Sequence, residues 1–282
     1  QANGATMYVT LEPCSHHGKT PPCAKAVINS RVNKVVIATL DPNPLVAGTG
    51  VQMLKDAGIE VEIGLLENEA KNLNRGFIKR MQTGMPFVTS KIAMSLDGKT
   101  AMANGESKWI TSETARMDVH KLRRDNQAIL TGSGTVLKDN PSLTARLPES
   151  TITPLRVVID SNNQITNKKL NIFSDDAQTL VINSDNCAST ANSKVDLKAA
   201  LLKLGEMGIN TVLVEAGSGL NGAMQEANLI DELVIYTAPV LLGNKATSMM
   251  QLPITDMGDK VSLVINDCRQ VGVDMKITAS FK

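Results

Sequence analysis

Aromatic side chains are nearly missing from this chain: one Trp, two Tyr and four Phe among 282 residues. That scarcity argues against a platform of stacked aromatics for single-stranded nucleic acid. An excess of one charge is missing too, since 29 Lys and Arg against 28 Asp and Glu leave a net charge of +1. Such a chain projects no long-range field toward duplex nucleic acid or an anionic membrane. No apolar run reaches the roughly 18 residues of a membrane span, and no signal-peptide pattern is visible. Four cysteines are too few for a disulfide scaffold at this length, so a reducing, cytoplasmic setting is expected. Histidine is scarcest of the chemically versatile residues: there are three, and none stands in a His-x-Glu pair.

What is present is ordinary for a globular protein, with 42% hydrophobic and 20% charged residues. The length suggests two domains on a scale of about 150 residues each. Short apolar strands alternate with helical stretches: "TMYVTL", "PPCAKAVINS", "KVVIATL", "GTGVQMLKDAG", "IEVEIGLL" and the amphipathic "NEAKNLNRGFIKRMQTG". This rhythm predicts an α/β layer with parallel strands. Gly84 and Pro86 punctuate "QTGMPF", which sets a boundary between domains 1–84 and 85–282. Beyond it, strands are expected at "FVTSKIAMSL", "AILTG", "PLRVVID", "TLVIN", "TVLVEA", "ELVIYTAPVLL", "VSLVIN" and "VDMKITASF", with helices at "SETARMDVHKLRR" and "LKAALLKLGEMG". The last three strands have no long helix between them, so the second domain should carry a mixed sheet. Gln1 opens the chain where Met would be expected, and a strand follows almost at once, the pattern of an interior segment.

Two features carry chemistry. In "LEPCSHHGKTPPC" the thiols of Cys14 and Cys23 flank a strand-to-helix junction, where a helix N-terminus favours thiolate and hence metal binding. Zinc wants four ligands, or three and a water, so this is half a site; two unrelated buried cysteines are the alternative. In "VEAGSGLNGAM", Gly217, Gly219 and Gly222 form G-x-G-x-x-G between a strand and a helix, the pattern of a phosphate cradle. A Rossmann domain would add an acidic residue about 20 positions on, and "IYTAPVLLGN" offers none. A glycine turn without a ligand stays open as a reading.

The first feature resembles the zinc-dependent cytidine and nucleobase deaminases, whose upstream His-x-Glu supplies the third ligand and the proton shuttle. His16 and His17 lack such a Glu and are expected to line the pocket or face solvent. The whole chain resembles the bifunctional riboflavin-biosynthesis deaminase–reductases. That likeness rests on "YVTLEPCSHHGKTPPC", "DPNPLVAGTG", "NRGFIKRMQTGMPFV", "KIAMSLDGKTAMANGESKWIT", "TVLKDNPSLTAR", "RVVIDS" and "VEAGSGLNGA" in order and spacing. It implies a partial cytidine-deaminase-like α/β domain, with Cys14 and Cys23 as zinc ligands, followed by a dihydrofolate reductase-like mixed-sheet α/β domain. Deamination is not expected of these residues, which lack one ligand and the general acid/base. The reductase would use NADPH to turn the ribosyl unit of a phosphoribosylaminopyrimidine into a ribityl chain.

The resemblance also assigns residues. Gly217, Ser218, Gly219, Leu220, Asn221, Gly222 and Ala223 would contact NADPH, with Ala93, Trp109, Thr135, Asp139 and Ser161. Ser107, Arg123, Leu143, Arg146 and Glu215 would bind substrate, the arginines suiting a phosphate through their planar fork. Asp139 is the main catalytic candidate, as a group that positions reacting atoms or relays a proton; "DNP" also suits a plain turn. Lys91 ranks below the arginines, since a strand lysine near a sheet edge is commonly solvated. A homodimer is expected by the same resemblance, and neither nucleic acid nor membrane as partner. The alternatives are a pterin reductase of the dihydrofolate reductase type and a non-catalytic zinc-binding module.

Overall fold

The computed structural model describes residues 2–18, 20–43, 46–148 and 152–282. They fall into two compact units, Gln1–Gly84 and Met85–Lys282. No described helix is long and apolar enough to cross a membrane.

The first unit runs β1 (Thr6–Val9), α1 (Cys23–Asn29), β2 (Lys34–Ile37), α2 (Thr49–Asp56), β3 (Glu60–Ile63), α3 (Glu67–Leu73) and α4 (Arg75–Thr83). Its three strands are parallel in the order β1-β2-β3. The central strand reads Lys-Val-Val-Ile without alternation, as a parallel strand buried on both faces should. Val35 and Ile37 pack with Val27 of α1 and with Val51 and Leu54 of α2. The amphipathic stretch from Asn68 to Gly84 is not one helix but two. Asn74 leaves helical geometry at φ −105°, and its side-chain amide donates to the Ala70 carbonyl at 3.0 Å. Asn competes with the backbone for such bonds and so ends the first helix there.

The second unit contains β4 (Phe87–Ser95), β5 (Lys99–Ala101), α5 (Glu113–Arg124), β6 (Ala128–Gly132), α6 (Ser133–Asp139), β7 (Leu155–Ile159), β8 (Thr179–Ile182), α7 (Leu197–Glu206), β9 (Thr211–Val214), α8 (Ser218–Glu226), β10 (Glu232–Ala238), β11 (Thr247–Ser248), β12 (Leu263–Val271) and β13 (Asp274–Phe281). Eight strands form one sheet in the order β12-β13-β10-β4-β9-β6-β7-β8, while β5 and β11 pair separately. From β10 to β8 all neighbours are parallel; β13 joins β10 antiparallel and β12 joins β13 antiparallel. The mixed sheet expected from the closely spaced last strands is therefore present. Val88, Leu130, Val157, Val214 and Leu233 supply its core, with Leu201 and Leu204 of α7 and Met224 of α8.

Two features of this unit position the site. The parallel register sets Ser90 of β4 beside Val214 of β9, so Lys91 and Glu215 follow as neighbours. The hairpin β12–β13 caps α5: buried Asp274 accepts from the Ser112 amide at 2.9 Å and the Ser112 hydroxyl at 2.5 Å. Ser112 in turn accepts from Ala115 N–H, which satisfies one of the open donors of the first helical turn. Acidic Glu113 opens the helix and Lys121, Arg123 and Arg124 close it, in the sense its dipole favours.

Candidate active site

At the carboxyl end of β9 a carboxylate is buried among cations. Glu215 is 9% exposed and receives Arg123 as a fork, with Nε at 2.5 Å from one oxygen and Nη2 at 2.9 Å from the other. Lys91 Nζ stands 3.4 Å from the second oxygen. Burial alone would raise the pKa of Glu215; Arg123, then Lys91, outweigh it and hold the carboxyl at about 2. Lys91 is thus not the solvated edge lysine expected, because β4 is an interior strand and the side chain is only 16% exposed. Nor is Arg123 a solvated helix charge, being 14% exposed and committed to Glu215.

The segment after α6 wraps this cluster. Asn140 caps α6 in the left-handed region at φ 43°, which Asn tolerates better than most residues. Leu143 also has positive φ, 48°, and its side chain is spent in a core with Val158, Ile165 and Ile172. Asn171 holds the turn by two 2.8 Å bonds to Asn140, one from its amide and one from its side chain. Arg156, fully buried, donates to the carbonyls of Ser142, Asn171, Ser174 and Ala177. The Thr144 carbonyl accepts from Arg123 Nη1 at 3.2 Å. Arg146 is exposed at the end of this segment. Asp139 is the last residue of α6 and half-buried, so it closes a helix rather than sitting in a simple turn.

Helix α8 begins at Gly217, which offers no side-chain cap. Its first-turn N–H groups therefore point out from the carboxyl end of the sheet, the arrangement that takes phosphate. Gly217 and Gly219 are exposed, and a Cβ built on Gly217 would lie 3.9 Å from Thr135 Oγ1. The glycines have different work. A Cβ on Gly222 would come 2.0 Å from the Gln251 carbonyl oxygen, so this glycine admits backbone of the chain itself. Asn221 is 1% exposed, accepting from Ser90 and donating to the Ala216 carbonyl. Ser218 is buried, Leu220 packs on Gly132, and Ala223 is exposed. An open helix start flanked by exposed glycines and Thr135 fits a dinucleotide phosphate.

The remaining expected residues lie on other parts of the second unit. Ala93 is two residues beyond Lys91 on β4 and so shares its face. Ser161 follows β7, and its hydroxyl accepts from the Val195 amide at 3.0 Å. Ser107 lies half-buried in the segment between β5 and α5. Trp109 is not core: it is 70% exposed, with the Arg116 guanidinium 4.4 Å above its ring.

In the first unit Cys23 N–H donates to Cys14 Sγ at 3.3 Å, and the two thiols also hydrogen-bond, which with burial raises the pKa of Cys23. His16 and His17 are exposed. Among the described residues no group of three or more His, Cys, Asp or Glu could hold a metal ion. Two thiols without a third donor do not make a zinc site, so the residues present do not fit the metal. Glu12 was missed by sequence reasoning. Its buried carboxylate accepts from the amides of Asp41, Gly48 and Val51, which fastens the start of α2 beside Pro13.

Taken together, the second unit is an α/β enzyme domain with an open helix start and a paired, buried carboxylate at its strand ends, and the first carries two cysteines at a strand-to-helix junction. Comparisons with known proteins agree. Residues 86–277 match the RibD C-terminal domain, and residues 1–39 match the cytidine and deoxycytidylate deaminase zinc-binding region. The Haemophilus influenzae riboflavin biosynthesis protein RibD is 46% identical, over 98% of this chain and 80% of that protein. The Acinetobacter baumannii RibD structure superposes with a TM-score of 0.91 at 42% identity, over 100% of this chain and 82% of that one. A Thermotoga maritima structure described as a diaminohydroxyphosphoribosylaminopyrimidine deaminase/5-amino-6-(5-phosphoribosylamino)uracil reductase gives 0.88 at 35% identity, over 99% and 80%. The chain belongs to the RibD family of riboflavin biosynthesis, with the reductase domain present and the deaminase region matched in part.

Proposed function

We propose that residues 85–282 reduce the ribosyl group of 5-amino-6-(5-phosphoribosylamino)uracil to ribityl with NADPH, and that residues 1–84 are the C-terminal portion of a zinc deaminase domain. What carries the reading is the buried Lys91–Glu215–Arg123 cluster one residue from the α8 N-terminus. A carboxylate so placed is costly to bury without partners, and its pairing sets its oxygens in one orientation beside the phosphate cradle.

The roles divide as follows. Bound NADPH supplies a hydride. The open start of α8 at Gly217 and Gly219 would hold its phosphates, and Ala93, Trp109, Thr135, Asp139 and Ser161 would line the rest of its path, while Asn221 and Gly222 serve contacts within the chain to Ser90, Ala216 and Gln251. Glu215, kept ionised by Arg123 and Lys91, orients the sugar hydroxyls by accepting their hydrogen bonds. Arg146, whose guanidinium is exposed, takes the substrate phosphate, with Ser107 and the Leu143 main chain alongside. Ring opening of the ribosylamine leaves an imine-like carbon as hydride acceptor, and Asp139 positions the reacting atoms or passes the proton the opened sugar requires. The T. maritima protein is named for both a deamination and a reduction. Deamination of 2,5-diamino-6-(5-phosphoribosylamino)pyrimidin-4-one belongs to a complete centre, and these 282 residues contain no His-x-Glu.

A second copy of the chain is the proposed partner. Strand β12 is a sheet edge with Leu263, Val264 and Ile265 exposed by 41%, 45% and 63%. Soluble proteins cover or charge such an edge, and pairing covers it.

The test is NADPH oxidation with the phosphoribosylaminouracil set against dihydrofolate. Turnover of the first and not the second is expected. Turnover of dihydrofolate alone would replace the assignment by a pterin reductase.

A further inference from the structure

His120 lies on α5, one turn before Arg123, and is 8% exposed. Its Nδ1 is 3.2 Å from the Thr144 carbonyl oxygen and 3.2 Å from the Arg146 amide nitrogen. One ring nitrogen cannot serve both. With a lone pair it accepts from the Arg146 N–H; with a proton it donates to the Thr144 carbonyl and turns an N–H against an N–H. The Thr144 carbonyl already accepts from Arg123. A neutral ring with its proton on Nε2 therefore lets Nδ1 accept from the Arg146 N–H while the Thr144 carbonyl keeps Arg123 as its donor. Among the described residues no other hydrogen bond ties the Arg146 backbone to α5.

We propose that His120 is a positioning residue of the reductase site, whose Nδ1 lone pair holds the Arg146 main chain and so aims the Arg146 guanidinium at the substrate phosphate. This rests on the reductase reading given above. Protonation of the ring releases Arg146, so affinity for the phosphorylated substrate falls in acid while the NADPH cradle on α8 is untouched. The charged groups facing the ring are Arg123 on its own helix, Arg146 from the segment after α6, and Glu215 at the end of β9, itself paired to Arg123 and to Lys91 of β4. Burial, Arg123 and Arg146 hold the His120 pKa below its ordinary value, against the upward pull of the Thr144 carbonyl and then of Glu215. The acid transition thus lies below about pH 6.5, and the ring is neutral at pH 7 and above.

His120→Asn and His120→Leu test the idea in the intact chain. The Asn side chain places an amide oxygen near the Nδ1 position, an acceptor that does not titrate; Leu removes the acceptor. At pH 7.5 the leucine variant should raise KM for the phosphoribosylaminouracil about tenfold, the scale of one lost hydrogen bond. The asparagine variant should recover most of that loss, and KM for NADPH should stay level in both. Because a phosphate monoester itself titrates near pH 6, the deciding quantity is the KM of the parent divided by that of His120→Asn at each pH. This ratio should climb as the pH falls below about 6.5 and the parent ring protonates, toward the roughly tenfold loss of the leucine variant. A ratio constant over that range, in a parent that turns the substrate over, overturns the role of His120 alone. Failure of the parent to reduce the phosphorylated substrate at any pH overturns the reductase reading instead.

Discussion

Glu215→Gln isolates the electrostatics of the cluster from its chemistry. The carboxyl is 9% exposed and falls from an ordinary 4.5 to about 2 in the folded protein. At about 1.4 kcal/mol per unit, that difference corresponds to roughly 3 kcal/mol of folding stability. Because the folded pKa is depressed, this contribution is complete above pH 4.5 and is lost as pH falls through about 2. Glutamine keeps the shape but leaves Arg123 and Lys91 without their anion, and removal of one partner from a buried pair costs about 3–5 kcal/mol. For a unit of this size the melting temperature should fall by about 6–20 °C near pH 7. Thermal unfolding of parent and variant, without substrate or cofactor, measures the difference between pH 7 and pH 3. It should be level down to about pH 5 and shrink below pH 4.5 as the unfolded parent chain takes up the proton that its folded carboxylate refuses. A melting temperature within about 2 °C of the parent at pH 7, or a gap that persists unchanged in acid, would refute the electrostatic account of Glu215.

Four further outcomes follow from the site and its surroundings. Asp139→Asn should fold and bind NADPH as the parent does, yet lose about 100-fold or more in kcat, the usual scale of a proton-transfer group; single-turnover NADPH oxidation decides it. Gly222→Ala forces a Cβ against the Gln251 carbonyl, so NADPH affinity and thermal stability should drop together, by an overpacking cost of about 1–3 kcal/mol. Zinc titrated into the purified 282-residue chain should bind weakly and be removed by a mild chelator, since Cys14 and Cys23 stand without a third donor; tight stoichiometric zinc would contradict that. Ile265→Lys places a charge on the exposed edge of β12 and should shift sedimentation from dimer to monomer.

How much of this could be read from the residues depended on whether the signal was local. The strands β2, β6, β7 and β9 are short continuous apolar runs between turn residues, and each lies where its run does. The glycine pattern at 217–222 marked a helix start because close backbone approach needs small residues nearby in sequence. Its division of labour was not legible, as the reason for Gly222 is the Gln251 backbone, which only the fold brings there. Helix α6 passed unnoticed behind the turn signal of Asp139, Asn140 and Pro141, since seven residues carry little periodicity. Lys91 looked like an edge lysine because sheet order is set by pairing across distant segments, and Glu215 is its register neighbour only through β4 and β9. The same holds for His120, Glu12 and Arg156, whose partners are backbone groups of other segments and leave no trace in spacing.

The bonds from Ser112 to Asp274 tie the β12–β13 hairpin to the helix that carries Arg123. Trimming the chain just before Asp274 would do more than shorten a hairpin. It would remove the carboxylate that holds Ser112, the capping residue of the helix that bears His120 and Arg123. Tags and truncations at this terminus are, in effect, edits of the buried Arg123–Glu215 pair made from the opposite end of a helix.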